Sequence, residues 1–360
     1  MDTTAWYPVL ELVYQGQPRL AADRRAGEPG LAEPGPVARV FATMRGCDGV
    51  GLVRRRLALS GGLIAGVAVD AVVGDPRRGH PVAALGRATD AIERLLWRDS
   101  RTTGIVFLTS IVGGVAGAGV LLDRATRDRA IYPVAVTAAT WAVLGAETLR
   151  REAAILQRLL EHGDLLAARE RLSHLVGRDP SRLDESEISR AGVESIAENT
   201  SDAIVAPLVW GAVGGVPGLF AYRTVNTLDA MVGHRSARYR RFGWAAARLD
   251  DLGNVVPARL TALLVGLVSG RPREVARVVR RDARRHPSPN AGWCEAAYAG
   301  ALGLRLGGRN VYGDRVEERP SLGDGQPAQR GDLHRAARLS RRVTWAAAAA
   351  AAAVALTARR

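Results

Sequence analysis

Nineteen consecutive residues, Gly104–Leu122, carry no charged side chain. A helix of about 20 such residues is what crosses a bilayer. Leu57–Gly74 is a second apolar stretch, interrupted only by Asp70 and preceded by Arg54-Arg55-Arg56; Ile131–Gly145 is a third charge-free run. Three weaker candidates follow. Ala203–Tyr222 is broken by Pro207, Gly211, Gly214, Gly215, Pro217 and Gly218; Val255–Ser269 contains Arg259; Trp345–Leu356 is mostly alanine. The crowded Gly113, Gly114, Gly117 and Gly119 suit close helix packing in lipid. No run of alternating strands is visible, so the expected fold is all-α: a polytopic integral membrane protein with long helical polar loops.

Composition narrows the chemistry. The net charge is +14, and all 50 basic residues are arginine. Without lysine there is no Walker A loop, no Schiff base and no lysine nucleophile. Two distant cysteines, Cys47 and Cys294, make neither a zinc cluster nor a disulfide scaffold. Residues 1–53, rich in Gly, Pro, Ala and Arg, read as a disordered extension or as sequence upstream of a later start. Residues 54–358 read as one membrane-embedded domain with polar segments 75–103, 150–202, 223–254 and 270–342. If every candidate spans fully, the segments 75–103, 150–202 and 270–342 share one face and 223–254 lies on the other. A re-entrant Ala203–Tyr222 changes that count, because broken backbone at membrane depth lines cavities. Ser181-Arg182-Leu183-Asp184 has the form of a capping box. Arg271–Arg285 reads as a basic amphipathic helix at the membrane surface, beside anionic lipid. No nucleic-acid motif accompanies it, so nucleic acid is not an expected partner.

Four clusters carry chemistry. Asp75, before Pro76, ends the first span near His80 and Arg87; Asp70 inside the span is costly unless paired or functional. Glu194, Glu198 and Asp202 follow at i, i+4, i+8, three carboxylates on one helical face. They read as a wet face or as a Mg²⁺ site, since Mg²⁺ takes carboxylates, water and substrate phosphate. Arg223, Asn226 and Asp229 place an oxygen-ligand pair beside a guanidinium, ahead of Arg235, with Asp250-Asp251 and Arg259 beyond. The fourth cluster, His286-Pro287-Ser288-Pro289-Asn290, is a rigid polar loop between helices.

In this order the clusters resemble the CobD/CbiB family of cobalamin biosynthesis, the adenosylcobinamide-phosphate synthases. The matching text is Gly74-Asp75-Pro76 with His80-Pro81-Val82, Glu194 through Asp202, Asn226 through Gly233, Tyr239 through Trp244, Pro257 through Leu260, and His286 through Gly292. It covers about residues 57–325. Cys294, where proline is expected, departs from the pattern. The resemblance implies a multi-pass protein of the bacterial inner membrane. Its implied reaction joins (R)-1-aminopropan-2-ol or its O-phosphate to the propionate carboxylate of adenosylcobyric acid, a corrinoid, with ATP consumed. A carboxylate is a poor electrophile, so ATP would convert it to an acyl phosphate. Mg²⁺ on Glu194, Glu198, Asp202 and Asp229 would neutralise phosphoryl charge. Arg87, Arg223, Asn226, Arg235, Arg259, Ser288 and Asn290 are the expected substrate or phosphate contacts. His80, with Asp75 and His286, is the expected proton acceptor for the incoming ammonium. The alternatives are a non-catalytic corrinoid-binding or transport protein, and a membrane scaffold for other late-pathway enzymes.

Overall fold

The computed structural model describes residues 47–75, 81–176, 179–234, 236–312 and 315–357. The N-terminal stretch through residue 46, His80 and Arg235 lie outside the described residues.

Helix α1 (Cys47–Val73) buries Leu59, Leu63, Val67 and Asp70 on one face and leaves Leu57, Ile64 and Val72 exposed. After α2 (Pro81–Leu96), α3 (Arg101–Thr126) buries Phe107, Leu108 and Ile111 against Leu228, Val232 and Phe242. Its other face exposes Ile105, Val106 and Leu121. A helix apolar on all sides has lipid as its outer neighbour. The expected small-residue packing is corrected: Gly113, Gly114 and Gly117 face open space, and only Gly119 packs closely, on Pro217.

The third charge-free run gives a helix shorter than a usual span. It forms α4 (Tyr132–Val143), only 12 residues long, which ends where Leu144 turns extended. At 1.5 Å per residue that is roughly 18 Å. Helix α5 (Ala146–Glu161) then starts at once, its Glu147 N–H donating to Asp70 Oδ2 at 3.0 Å. Among the described residues the stretches long and apolar enough to cross a membrane are Gly51–Val73, Arg101–Thr126 and Glu185–Val232. A fourth is the pair α9 (Trp244–Gly253) and α10 (Val255–Ser269), bent by 42°.

The third stretch is not one rod. It comprises α7 (Glu185–Thr200), a π-helical turn at Ser201–Val205, and α8 (Ala206–Val232). Gly215 breaks α8 with φ 64° and ψ −150°, backbone that glycine alone adopts readily. The chain then doubles back. The Tyr222 hydroxyl donates to the Asp202 carbonyl at 3.2 Å, and a Cβ on Gly218 would stand 2.1 Å from the Trp210 carbonyl. Residues 202–222 are therefore a helical hairpin whose tip packs beside Gly119. Both of its ends emerge on the same side. The separation of segments 150–202 and 223–254 onto opposite faces is corrected accordingly.

Capping places the start of α7 later than Ser181. Asp184 is the N-cap and accepts from Glu187 N–H, while Glu187 accepts from Asp184 N–H. Helix α6 (Leu165–Leu172) is capped in turn by Asp164. The basic helix, α11 (Pro272–Asp282), buries Val275, Val278 and Val279 against α10 and α12 (Ala291–Leu302). Its apolar face is thus spent on protein, and Arg273, Arg277 and Arg280 remain exposed on the other. A small sheet, missed in the sequence, follows. Strands β1 (Leu304–Tyr312) and β2 (Arg315–Leu322) pair antiparallel, and β3 (Gln326–Pro327) joins β1 in parallel. Helix α13 (Arg330–Thr357) packs on α5 and α7 and returns to α1, where Ser60 donates to the Ala352 carbonyl at 2.9 Å.

Candidate active site

Glu194, Glu198 and Asp202, spaced i, i+4, i+8, do not share one role. Here Glu198 and Asp202 line a cavity of about 1360 Å³, and Glu194 does not. Glu194 Oε1 accepts the Gly307 N–H at 2.8 Å and faces Arg190 at 3.6 Å. Arg190 also donates to the Gly307 and Arg309 carbonyls. This pair pins β1 at its bulge, where the register with β2 shifts between Leu306 and Gly308. The opposite strand thereby presents Arg319, paired with Gly308, and Glu317 to the cavity.

The end of α8 and helix α9 supply the next wall. Asp229 lines the cavity, with Asp250 and Asp251 of α9 beside it. A polar network holds Asp250: Asn226 Nδ2 donates to its Oδ1 at 3.2 Å, and Asn254 Nδ2 to its Oδ2 at 3.0 Å. The Tyr222 hydroxyl ties Asn254 in at 2.8 Å, and Arg223 donates to Asn226 at 3.3 Å. Arg223 and Asn226 thus stand behind the lining. Asp75 accepts from the Thr148 hydroxyl at 2.5 Å and lies within electrostatic reach of Arg223, also outside the lining. Arg87 is exposed on α2, away from the cavity.

The loop before α12 closes the cavity. Ser288 Oγ accepts the Asn290 and Ala291 N–H groups and so ties the loop to the start of α12. Asn290 donates to the Asp251 carbonyl at 2.6 Å and accepts from Arg259 at 2.5 Å. Arg259 also stacks over Trp293, its guanidinium carbon 4.6 Å from the ring centroid, and acts as a brace for the loop. His286 Nδ1 accepts the Ser288 N–H at 3.0 Å. Its Nε2 faces Arg319 at 3.2 Å and Glu295 Oε1 at 3.4 Å. Burial, with the Arg319 charge, pulls the His286 pKa down to about 4, so the imidazole is neutral near pH 7.

Glu295 and Arg319 escaped the sequence reading, as did Arg101, Arg240 and Arg248 on the cavity wall. Glu295 is wholly enclosed, and burial together with the Glu194 and Glu198 carboxylates pushes its pKa well up. Its signal was present: a lone acid in the apolar run Ala291-Gly292-Trp293-Cys294-Glu295-Ala296-Ala297, the same feature that drew attention to Asp70. Arg319 had none, because a strand gave no helical spacing to read.

The donors suit a hard cation. Glu198, Asp202, Asp229 and Asp250 offer carboxylate oxygens into one water-accessible space, the ligand type Mg²⁺ takes. Glu198, His286 and Glu295 also converge, with ligand atoms within 4.8 Å of one another, but Arg319 already stands against that group. Arg101, Arg240 and Arg248 sit on the same cavity wall as the acids and can meet phosphate or carboxylate.

The sequence profile of the family described as "CobD/Cbib protein" matches residues 63–340. "Cobalamin biosynthesis protein CobD" of Mycobacterium tuberculosis H37Rv is 51% identical over 292 residues, 80% of this chain and 93% of that protein. The proteins of the same description from Rhodobacter capsulatus and Geobacter metallireducens are 41% and 44% identical. The alignments cover 78% and 73% of this chain, and 92% and 86% of those proteins. No solved structure matches. On the profile match and these identities, the chain belongs to the CobD/CbiB family of cobalamin biosynthesis proteins.

Proposed function

We propose that this protein is an adenosylcobinamide-phosphate synthase of the bacterial inner membrane, with several passes. It would form the amide between adenosylcobyric acid and (R)-1-aminopropan-2-ol or its O-phosphate, with ATP consumed. The observation that carries the reading is the cavity of about 1360 Å³, larger than the ~300–1,000 Å³ of ordinary small-molecule clefts. Its size suits a corrinoid. Its wall combines clustered carboxylates with arginines, the equipment for Mg²⁺-bound phosphate beside an anionic substrate.

In this reading Glu198, Asp202, Asp229 and Asp250 hold Mg²⁺, which supplies charge neutralisation at phosphoryl oxygens. Arg101, Arg240, Arg248 and Arg319 receive substrate carboxylate or phosphate. Asn226, Asn254 and Tyr222 keep Asp250 in place, and Arg259 with Asn290 keeps the loop shut against α9. His286 is neutral, but its Nδ1 lone pair already takes the Ser288 N–H.

The test is direct. Purified protein in detergent receives adenosylcobyric acid, Mg·ATP and aminopropanol phosphate, and corrinoid mass is followed. The expected product is heavier by aminopropanol phosphate minus water, with ATP consumed. Glu198→Gln or Asp229→Asn should lower turnover about 10–100-fold at low Mg²⁺, with partial recovery as Mg²⁺ is raised. No mass gain with either amine would leave a binding or scaffolding role in its place.

A further inference from the structure

The bent pair α9–α10 has two unlike faces. Asp250, Asp251, Asn254 and Ala258 line the large cavity. The other face carries Leu249, Leu252, Val256, Leu263 and Leu267, at helical spacing and 38–69% exposed. The bend between the two helices has a cause. Pro257 has no N–H to give the Gly253 carbonyl four residues earlier, and the Trp210 indole N–H serves that carbonyl instead, at 3.0 Å. Trp210 belongs to the hairpin 202–222, whose outer surface also exposes Val213 and which packs on the membrane helix α3 at Gly119. The leucine stripe thus continues the outer apolar surface of that hairpin.

Length and apolar character alone would let α9 and α10 cross the bilayer together. The chain that follows argues against it. Gly270, left-handed at φ 70°, ends α10, and α11 folds back on it, with Pro272 and Val275 beside Gly266. By residues 286–290 the chain is again at the start of α10, where Asn290 meets Arg259 and the Asp251 carbonyl. If α10 descended through hydrocarbon, α11 would have to climb back through it with Arg273, Arg277, Arg280 and Arg281 exposed. Guanidiniums turned toward acyl chains are too costly for that path.

We propose that α9 and α10 form an in-plane element that does not cross: the stripe from Leu249 to Leu267 lies among the acyl chains at the surface of one leaflet, and the opposite face keeps the acids of the cavity in water. A helix with one apolar side and one charged side is the form that settles at a bilayer interface. Lipid, rather than a protein, is the occupant of the stripe because the stripe joins the hairpin surface at Trp210.

The test uses full-length protein with Cys47 and Cys294 replaced by serine and one added cysteine: Leu252→Cys, Val256→Cys, Leu263→Cys or Leu267→Cys. Each carries an environment-sensitive fluorophore and is reconstituted in phosphatidylcholine vesicles. The quenchers are aqueous iodide and phosphatidylcholine bearing a nitroxide either high on the acyl chain or at its end. All four positions should be quenched about twofold more by the shallow nitroxide than by the deep one, and hardly at all by iodide. Arg280→Cys on α11 should respond to iodide and not to the deep nitroxide. Stronger quenching by the deep nitroxide at Leu263 or Leu267 would mean a crossing. Quenching of the stripe by iodide would mean a face open to water, and protection from every quencher a face covered by protein; each of these outcomes overturns the proposal. A second measurement leaves the stripe intact. Arg273→Cys, just past the end of α10, and Arg158→Cys should react with an impermeant maleimide from the same side of a sealed vesicle. Reaction from opposite sides overturns the proposal even where the stripe variants fail to fold.

Discussion

Glu194 and Glu198 are one helical turn apart and do different work. Glu194 is committed to the Gly307 N–H and to Arg190, while Glu198 faces the cavity. Spacing alone cannot separate them, because i and i+4 share a face until tertiary partners claim one of the two. Glu295 stands behind Glu198, and enclosure favours its neutral form. An amide of the same shape should therefore replace it at little cost. We expect Glu295→Gln to change stability by no more than about 1 kcal/mol, whereas Glu295→Ala, which opens a cavity, should cost about 2–4 kcal/mol. Thermal melts of both variants in one detergent check this. A large loss in Glu295→Gln would mean that the charged form is required. The lone-acid signal made Asp70 legible in the sequence and was equally present at Glu295. Arg319 was illegible because its place depends on a strand register set 113 residues away in sequence, where Gly307 meets Glu194.

The β1–β2 hairpin is anchored from a second direction at its far end. Asp282, buried at the end of α11, accepts the Gly323 N–H at 2.9 Å and both nitrogens of an Arg281 fork at 2.8–2.9 Å. Burial opposes its charge, but Arg281, the Gly323 N–H and Arg285 outweigh it and hold Asp282 below its ordinary carboxyl value. A carboxylate whose folded pKa is depressed contributes stability above its unfolded pKa of ~3.9 and loses it as pH falls through the folded value. Asp282→Asn should thus destabilise the protein by about 1–3 kcal/mol at pH 7. The gap to the native protein should close as pH drops below about 4. Melting temperatures across pH 3–7 test both halves of this expectation, and a gap independent of pH would sink the electrostatic account. The helices that carry these groups were readable from caps and apolar spacing. The short sheet was not, since Gly307, Gly308 and a bulge disrupt the alternation that announces a strand.

At the scale of the whole molecule, one glycine decides how many polar segments can meet. Read as a single crossing, residues 203–222 send Asp229 and Asp250 to the side opposite Glu198 and Asp202. The turn at Gly215 brings them back, so the acids of segments 150–202 and 223–254 line one cavity with the loop from 270–342. The apolar pattern cannot announce this reversal, because a hairpin buried among helices is as hydrophobic as a span. The opposite end of the molecule is marked by different contacts: Arg55 pairs with Asp128, and Arg56 reaches the Leu356 carbonyl at 3.3 Å. These contacts predict a labelling pattern. With Cys47 and Cys294 replaced by serine, single cysteines at the exposed positions Arg158, Arg248 and Arg338 should react with an impermeant maleimide from the same side of a sealed vesicle. A cysteine at Arg129, just past the far end of α3, should react only from the other side. Labelling at 158 and 248 from opposite sides would mean that residues 203–222 cross once. The shared cavity, and every role assigned within it, would then have to be abandoned.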